Sequence, residues 1–156
     1  MNIKIPKTKG VTPGEIAQCE RELGIKFPAD YVEFVVIHDG AKPESNTFQL
    51  GTNNSSAVNR FVPVNEIVST RKRVDGFHKD MLPIAYDDCG NFVYLNPLNW
   101  SVYFWDHEIQ EADYRLAGSF GEFLSLLKPF GLDQIKLKPG QVKSVWVDPD
   151  FKPEFE

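Results

Sequence analysis

The sequence predicts one domain that combines helices with strands, and three observations carry this prediction. A chain of 156 residues suits a single domain. Helix-start signals, each a capping residue or a proline followed by an apolar face, recur along the chain. Between them lie short segments rich in Tyr, Phe, Val and Trp, the residues that pleated strands prefer. With 42% hydrophobic residues and twelve Phe, the chain can build a largely aromatic core.

The first helix begins at residue 12. Thr12 can cap it, Pro13 suits the first helical position, and Glu15 completes a capping box. Apolar residues at spacings of three and four then form one face, which includes Cys19. We therefore expect this cysteine to be a small core residue and not a nucleophile. Gly24 ends the helix, because glycine adopts the left-handed conformation without a steric clash.

A second helix is predicted from Pro28 to the stop signal Asp39-Gly40. His38 lies in its last turn, where the helix dipole favours a positive charge, and we expect a capping role for it. The polar composition of residues 41–60 predicts two loops around one short strand at Phe48 to Leu50.

A basic run, Arg71-Lys72-Arg73, ends a short helix that begins at Asn65. Three adjacent cations can bind phosphate. They also stabilise the C-terminal end of a helix, where the dipole favours positive charge. The second interpretation is favoured, and the first stays open.

Three strands and a last helix complete the predicted elements. The strands cover residues 82–86, 92–95 and 102–105, and a gap of five residues containing glycine between the first two suits a hairpin. Ser119 and Glu122 form a second capping box at the start of the helix.

The five residues of that gap, Asp87-Asp88-Cys89-Gly90-Asn91, are compatible with a hairpin corner, a metal site or a reactive thiol. Asp and Asn bond to their own backbone and Gly supplies a positive φ, so every residue suits a turn. Two neighbouring carboxylates are too few ligands for a metal without help from elsewhere. They also disfavour the thiolate form of Cys89. The hairpin is therefore the favoured interpretation.

Composition and missing motifs narrow the function classes. The net charge of −5 does not attract nucleic acid and favours a basic protein partner. Two cysteines are not a disulfide framework, and no signal peptide or membrane span is recognisable, so we expect a cytoplasmic protein. No phosphate-binding glycine loop, HExxH or CxxC motif is present in the sequence. We expect no enzyme and no cofactor, with a dispersed site of His107, Asp106 and Asp88 as the catalytic alternative.

Acidic residues dominate the stretch from Asp87 to Glu122, which holds seven carboxylates and one arginine, Arg115. If the sheet brings the turn and the loop after the third strand to one side, they form an acidic patch suited to docking onto a basic protein. A merely solvated rim is the alternative. The candidate partner-binding residues are Asp87, Asp88, Asp106, Glu108, Glu111 and Asp113.

Four segments in order resemble the SUKH superfamily, the group that includes the yeast cell-wall assembly regulator domain. They are LGIKFPADYVEFVVIHDG, LPIAYDDCGNFVYLNP, VYFWDHE and SFGEFLSLL. The resemblance covers roughly residues 12–128. The matching positions are Pro28, Gly40, Gly90, Trp105, Asp106, His107, Ser119, Phe120, Phe123 and Leu124.

The resemblance implies an α+β fold, with a mostly antiparallel sheet of about five or six strands and helices packed against it. The SUKH-like domain would occupy residues 1–130. Residues 131–156 would be a C-terminal extension, with one possible extra strand at residues 142–147 and an acidic tail that frays.

The resemblance also implies a function. Many bacterial members are immunity proteins, which bind and neutralise a cognate polymorphic or contact-dependent toxin, often a nuclease, encoded beside them. The family carries no common catalytic residues. We therefore expect a protein that occludes a toxin stoichiometrically, as a monomer or weak dimer, without nucleic-acid or membrane binding. A regulatory or scaffold domain is the alternative.

Overall fold

The computed structural model describes residues 3–109 and 113–131, together with residues 139, 140, 144 and 146. The helices are α1 (Pro13–Leu23), α2 (Ala29–His38), α3 (Ile67–Arg73) and α4 (Phe120–Leu126), and a 3-10 turn at Val64–Glu66 leads into α3. The strands are β1 (Ser45–Leu50), β2 (Asn54–Ala57), β3 (Arg60–Phe61), β4 (Leu82–Tyr86), β5 (Phe92–Leu95), β6 (Val102–Trp105), β7 (Tyr114–Ala117) and β8 (Lys128–Pro129).

The strands confirm the predicted α+β class and antiparallel pairing. They form two sheets: five strands in the order β3-β4-β5-β6-β7, and three in the order β2-β1-β8. Every pair is antiparallel. The larger sheet holds the strands that carry the candidate site.

The two faces of the larger sheet pack in different ways, because successive side chains of a strand point to opposite faces. Val93, Leu95 and Phe104 face the main core, which the helices cover. Phe92 and Trp105, which lie opposite each other in the β5–β6 register, face the other side. A second cluster covers that side, and it consists of Phe77, Phe92, Tyr94 and Trp105. We call this side the aromatic face.

The cap of α1 agrees with the sequence analysis, and that of α4 agrees in part, because the Glu122 carboxylate accepts from the Gly118 N–H at 2.6 Å and not from that of Ser119. Thr12 and Glu15 form the capping box of α1, and Gly24 ends it at φ 69°. The Ser119 hydroxyl accepts a hydrogen bond from the Glu122 N–H at the start of α4. These side chains satisfy backbone donors that the first turn of a helix leaves without partners.

Cys19 is a core residue, as expected. Its side chain is buried, and the thiol donates to the backbone oxygen of Val64 at 3.4 Å. Burial raises the pKa of this thiol to about 11. Such a thiol is unreactive near neutral pH, because the thiolate is the nucleophile.

Strands β2, β7 and β8 lie where the sequence did not predict them, and β8 pairs with β1 directly after α4. The predicted loop over residues 51–60 was wrong in part, because β2 forms there and pairs with β1 from Leu50 opposite Asn54. Its residues are polar and at least partly exposed, so no apolar alternation marks them. Strand β7 was also missed. It pairs with β6, and its first two residues are exposed.

The predicted domain boundary stays a prediction. The possible strand at residues 142–147 and the acidic tail lie outside the described residues, apart from residues 144 and 146. Within the described part of the chain, every helix is too short or too polar to cross a membrane.

Candidate functional site

The β4–β5 turn and the loop after β6 lie side by side at one end of the larger sheet. The antiparallel register places Phe92 opposite Trp105, so the residues before β5 and after β6 are neighbours. The Asn91 side-chain oxygen accepts a hydrogen bond from the His107 N–H at 3.1 Å and lies 2.7 Å from His107 Nδ1. We call the four carboxylates at this place, Asp87, Asp88, Asp106 and Glu108, the acidic end.

Asp87 builds the turn. Its Oδ1 accepts from the backbone N–H groups of Cys89 at 2.8 Å and Asn91 at 2.9 Å. Its Oδ2 accepts from Asn91 Nδ2 at 2.9 Å and from Ser56 Oγ at 3.1 Å. Gly90 completes the corner at φ 89°, a conformation that other residues rarely adopt. The hairpin interpretation of these five residues is therefore confirmed. Asp87 adds negative charge to the acidic end, but hydrogen bonds within the protein occupy both of its carboxylate oxygens.

The other three carboxylates of the acidic end differ in exposure and in the hydrogen bonds that they make within the protein. Asp88 is exposed and accepts a hydrogen bond from Asn59 Nδ2. Asp106 Oδ1 accepts from the Glu108 N–H at 2.9 Å, which bends the chain after β6. The Glu108 carboxylate is exposed and has no hydrogen-bond or ion-pair partner among the described residues. Asp88 and Glu108 therefore present the most accessible charge.

Asp113 lies at the same end of the sheet but on its aromatic face. Its Oδ2 accepts from the Tyr94 hydroxyl at 2.7 Å and lies 2.7 Å from His78 Nε2. Burial, followed by this hydrogen bond, raises the pKa of Tyr94. Asp113 thus joins the segment before β4 to the sheet. Its predicted role as a partner contact stays a prediction, as does that of Glu111, which lies outside the described residues.

Positive side chains do not neutralise the acidic end. Among the described residues, no Lys or Arg lies within 4.0 Å of a carboxylate of Asp87, Asp88, Asp106 or Glu108. Neighbouring carboxylates without counter-ions generate a negative potential that attracts a basic partner. The sequence analysis could say only that an acidic patch forms if the turn and the loop after β6 lie on one side of the sheet. The structure shows that they do lie side by side.

The catalytic and metal alternatives find little support in this geometry. His107 directs its ring Nδ1 at the amide oxygen of Asn91, and its described hydrogen bonds go to that residue. The described part of the chain contains no group of three or more His, Cys, Asp or Glu side chains arranged to hold a metal ion.

Three polar contacts at this end were missed by the sequence analysis. Ser56 and Asn59 donate hydrogen bonds to Asp87 and Asp88, and the Asn91 side-chain oxygen accepts one from the His107 N–H. Ser56 and Asn59 come from β2 and the residues after it, far away in the sequence, and no local pattern marks such a long-range contact. Asn91 was recognised only as a turn residue.

Comparison with known proteins identifies the family. The model of the SMI1 / KNR4 family (SUKH-1) matches residues 10–126, which is most of the chain. The chain belongs to this family, and the SUKH resemblance found in the sequence is confirmed. The family includes toxin immunity proteins, and its members are generally immunity or regulatory proteins.

A relative from a bacterium is also similar to this chain. It is the SPbeta prophage-derived uncharacterized protein YokK of Bacillus subtilis (strain 168). The two sequences are 24% identical over 139 residues, which cover 72% of this chain and 72% of the relative.

Proposed function

We propose that this protein is an immunity protein that binds a cognate bacterial toxin and neutralises it by stoichiometric occlusion. Membership of a family that includes toxin immunity proteins supports the proposal. The observation that carries its mechanism is the acidic end, where two loops present carboxylates without cationic neighbours in the described residues.

The acidic end suits a toxin that acts on nucleic acid. A nuclease binds phosphates through a basic surface. Carboxylates arranged on a fixed turn offer such a surface an alternative set of negative charges, and complementary charges speed association. Bound there, the protein would block the active site or the path of the substrate. Catalysis by the immunity protein itself is not needed for this mechanism.

The side chains of the acidic end have different roles in this proposal. Asp87 fixes the hairpin corner through four hydrogen bonds, so the turn keeps its shape without a partner. Asp88 and Glu108, which are exposed, would form the contacts with the toxin. A turn that is ordered before binding lowers the entropic cost of association.

Co-expression tests the proposal. Where a large protein is encoded next to this chain, its C-terminal domain is expressed with and without the chain, and growth is followed. We expect growth arrest that this chain relieves, together with a tight one-to-one complex in calorimetry. A toxic domain that neither binds this chain nor is relieved by it would contradict the proposal. A stable complex with a host protein and no toxin would favour a regulatory or scaffold function.

A further inference from the structure

A second charged surface of opposite sign lies where α3 ends. A cleft of about 420 Å³ opens there between the last turn of the helix and the segment that follows it. Its lining residues are Arg71, Lys72, Val74, Asp75, Gly76, Phe77 and Lys79. We call it the basic cleft.

The wall of the basic cleft is fixed to the sheet through Phe77. This ring is buried and packs edge-on against Trp105 at 5.3 Å and against Tyr94 at 5.8 Å. The next residue, His78, contacts the Asp113 carboxylate at 2.7 Å. Two anchors therefore hold the segment, and the cleft exists before any ligand binds.

The cations of the basic cleft are not paired with acids. Among the described residues, no carboxylate lies within 4.0 Å of the charged groups of Arg71, Lys72 or Lys79. The helix dipole accounts for Arg71 and Lys72, which lie in the last turn of α3. It does not account for Lys79, which comes after the helix has ended and lines the same cleft.

We propose that the basic cleft binds an acidic polypeptide segment of a partner protein. Carboxylates of the segment would meet Arg71, Lys72 and Lys79, and an apolar side chain would contact Val74, which is half-buried. The three cations of the cleft are complementary to an acidic ligand. The net charge of −5 on the whole molecule repels a long polyanion such as a nucleic acid more than a short acidic segment, so the segment is the favoured occupant. The lining combines three cations and two apolar side chains with one carboxylate, that of Asp75, so its net charge is positive, and such a mixed lining also suits a peptide.

The proposal goes beyond the immunity function and does not depend on it. If the partner is a toxin, its basic region would bind the acidic end and its acidic segment would bind the basic cleft. These two contacts together would fix the orientation of the toxin. A partner bound the wrong way round would then meet like charges, which are repulsive.

A fluorescent peptide of glutamates around one central phenylalanine tests the cleft directly, by anisotropy at low salt with the full chain. We expect saturable binding that the triple variant R71E/K72E/K79E weakens at least about tenfold. The control variant K7E/K9E/K42E changes the net charge equally at exposed lysines elsewhere and should bind like the wild type. Circular dichroism of both variants checks that they fold, and R71Q/K72Q/K79Q provides a milder second variant.

Three results would overturn the proposal. The first is that the peptide does not bind, or that the triple variant and its control lose affinity for the peptide equally. An equal loss would mean that only the net charge matters. The second is tighter binding of a DNA duplex than of the peptide. The third is binding only after removal of residues 148–156, since the cleft would then belong to the acidic tail of the chain itself.

Discussion

Glu20 is a buried carboxylate that joins the end of α1 to the segment leading into α2. Its Oε1 accepts from the Phe27 N–H at 2.9 Å, and its Oε2 lies 2.5 Å from Lys26 Nζ. Burial raises the pKa of this carboxyl, while the hydrogen bonds from Lys26 and Phe27 lower it more, so the net shift is downward. The folded protein therefore binds a proton at Glu20 less readily than the unfolded chain does.

Glu20 makes the free energy of unfolding depend on pH. Because its folded pKa is lowered, its contribution is complete above the unfolded value near 4.5 and is lost as the pH falls through the folded value. We expect Glu20→Gln to cost about 1–3 kcal/mol at pH 7. Urea denaturation should show this difference shrinking between about pH 5 and pH 3.

A matched control for this prediction is Glu33→Gln, at an exposed position of α2. This variant should follow the wild-type pH profile. A constant difference between Glu20→Gln and the wild type at every pH would show that the charge of Glu20 is not what stabilises the fold.

At the residue scale, the sequence predicted features whose cause is local. Thr12, Gly24 and Cys19 act as expected, because caps, left-handed corners and helix faces depend on neighbours in the chain. The contact of His107 with Asn91 and that of Asp113 with His78 could not be predicted. They depend on strand register and on the path of a segment across the aromatic face.

The hairpin between β4 and β5 is the element on which the acidic end is built. Its two neighbouring carboxylates have different surroundings, since Asp87 accepts hydrogen bonds within the turn and Asp88 is exposed. We expect Asp87→Ala to lower the free energy of unfolding by about 2 kcal/mol, because the N–H groups of Cys89 and Asn91 lose their acceptor. Asp88→Ala should change it by less than about 0.5 kcal/mol.

Urea denaturation of the two alanine variants measures this contrast. Hydrogen exchange at Cys89 and Asn91 should be faster in Asp87→Ala, since both amides then lose their hydrogen-bond acceptor. Equal stability of the two variants would show that the turn does not need the Asp87 side chain.

The buried strands were predicted, and strands at the edges that are largely exposed, such as β2 and β7, were not. Segments β4, β5 and β6 are buried on both faces and carry the strand-forming side chains. Segment β2 is polar and forms because β1 offers it an edge, and β7 pairs with β6 in the same way. Pairing with an edge is a tertiary effect that a single-chain pattern does not contain.

At the scale of the molecule, the described part of the chain presents two charged regions at different places. The acidic end lies at the β4–β5 turn and the loop after β6, and the basic cleft lies at the end of α3. The sequence identified both charge runs, but whether the acidic residues share one surface depended on the fold. The chain belongs to a family that includes toxin immunity proteins, and the two charged regions are the surfaces that we propose as partner-binding sites.

The measurement that tests the central claim most directly is the affinity of the toxin domain for a charge-reversed acidic end. In Asp88→Lys/Glu108→Lys we expect binding weakened by about 2 kcal/mol or more and slower association at low salt. The matched control, Glu22→Lys/Glu33→Lys, changes two exposed acids of α1 and α2 and should bind like the wild type. Unchanged affinity and association rate in the first variant would contradict the claim that the acidic end binds the toxin.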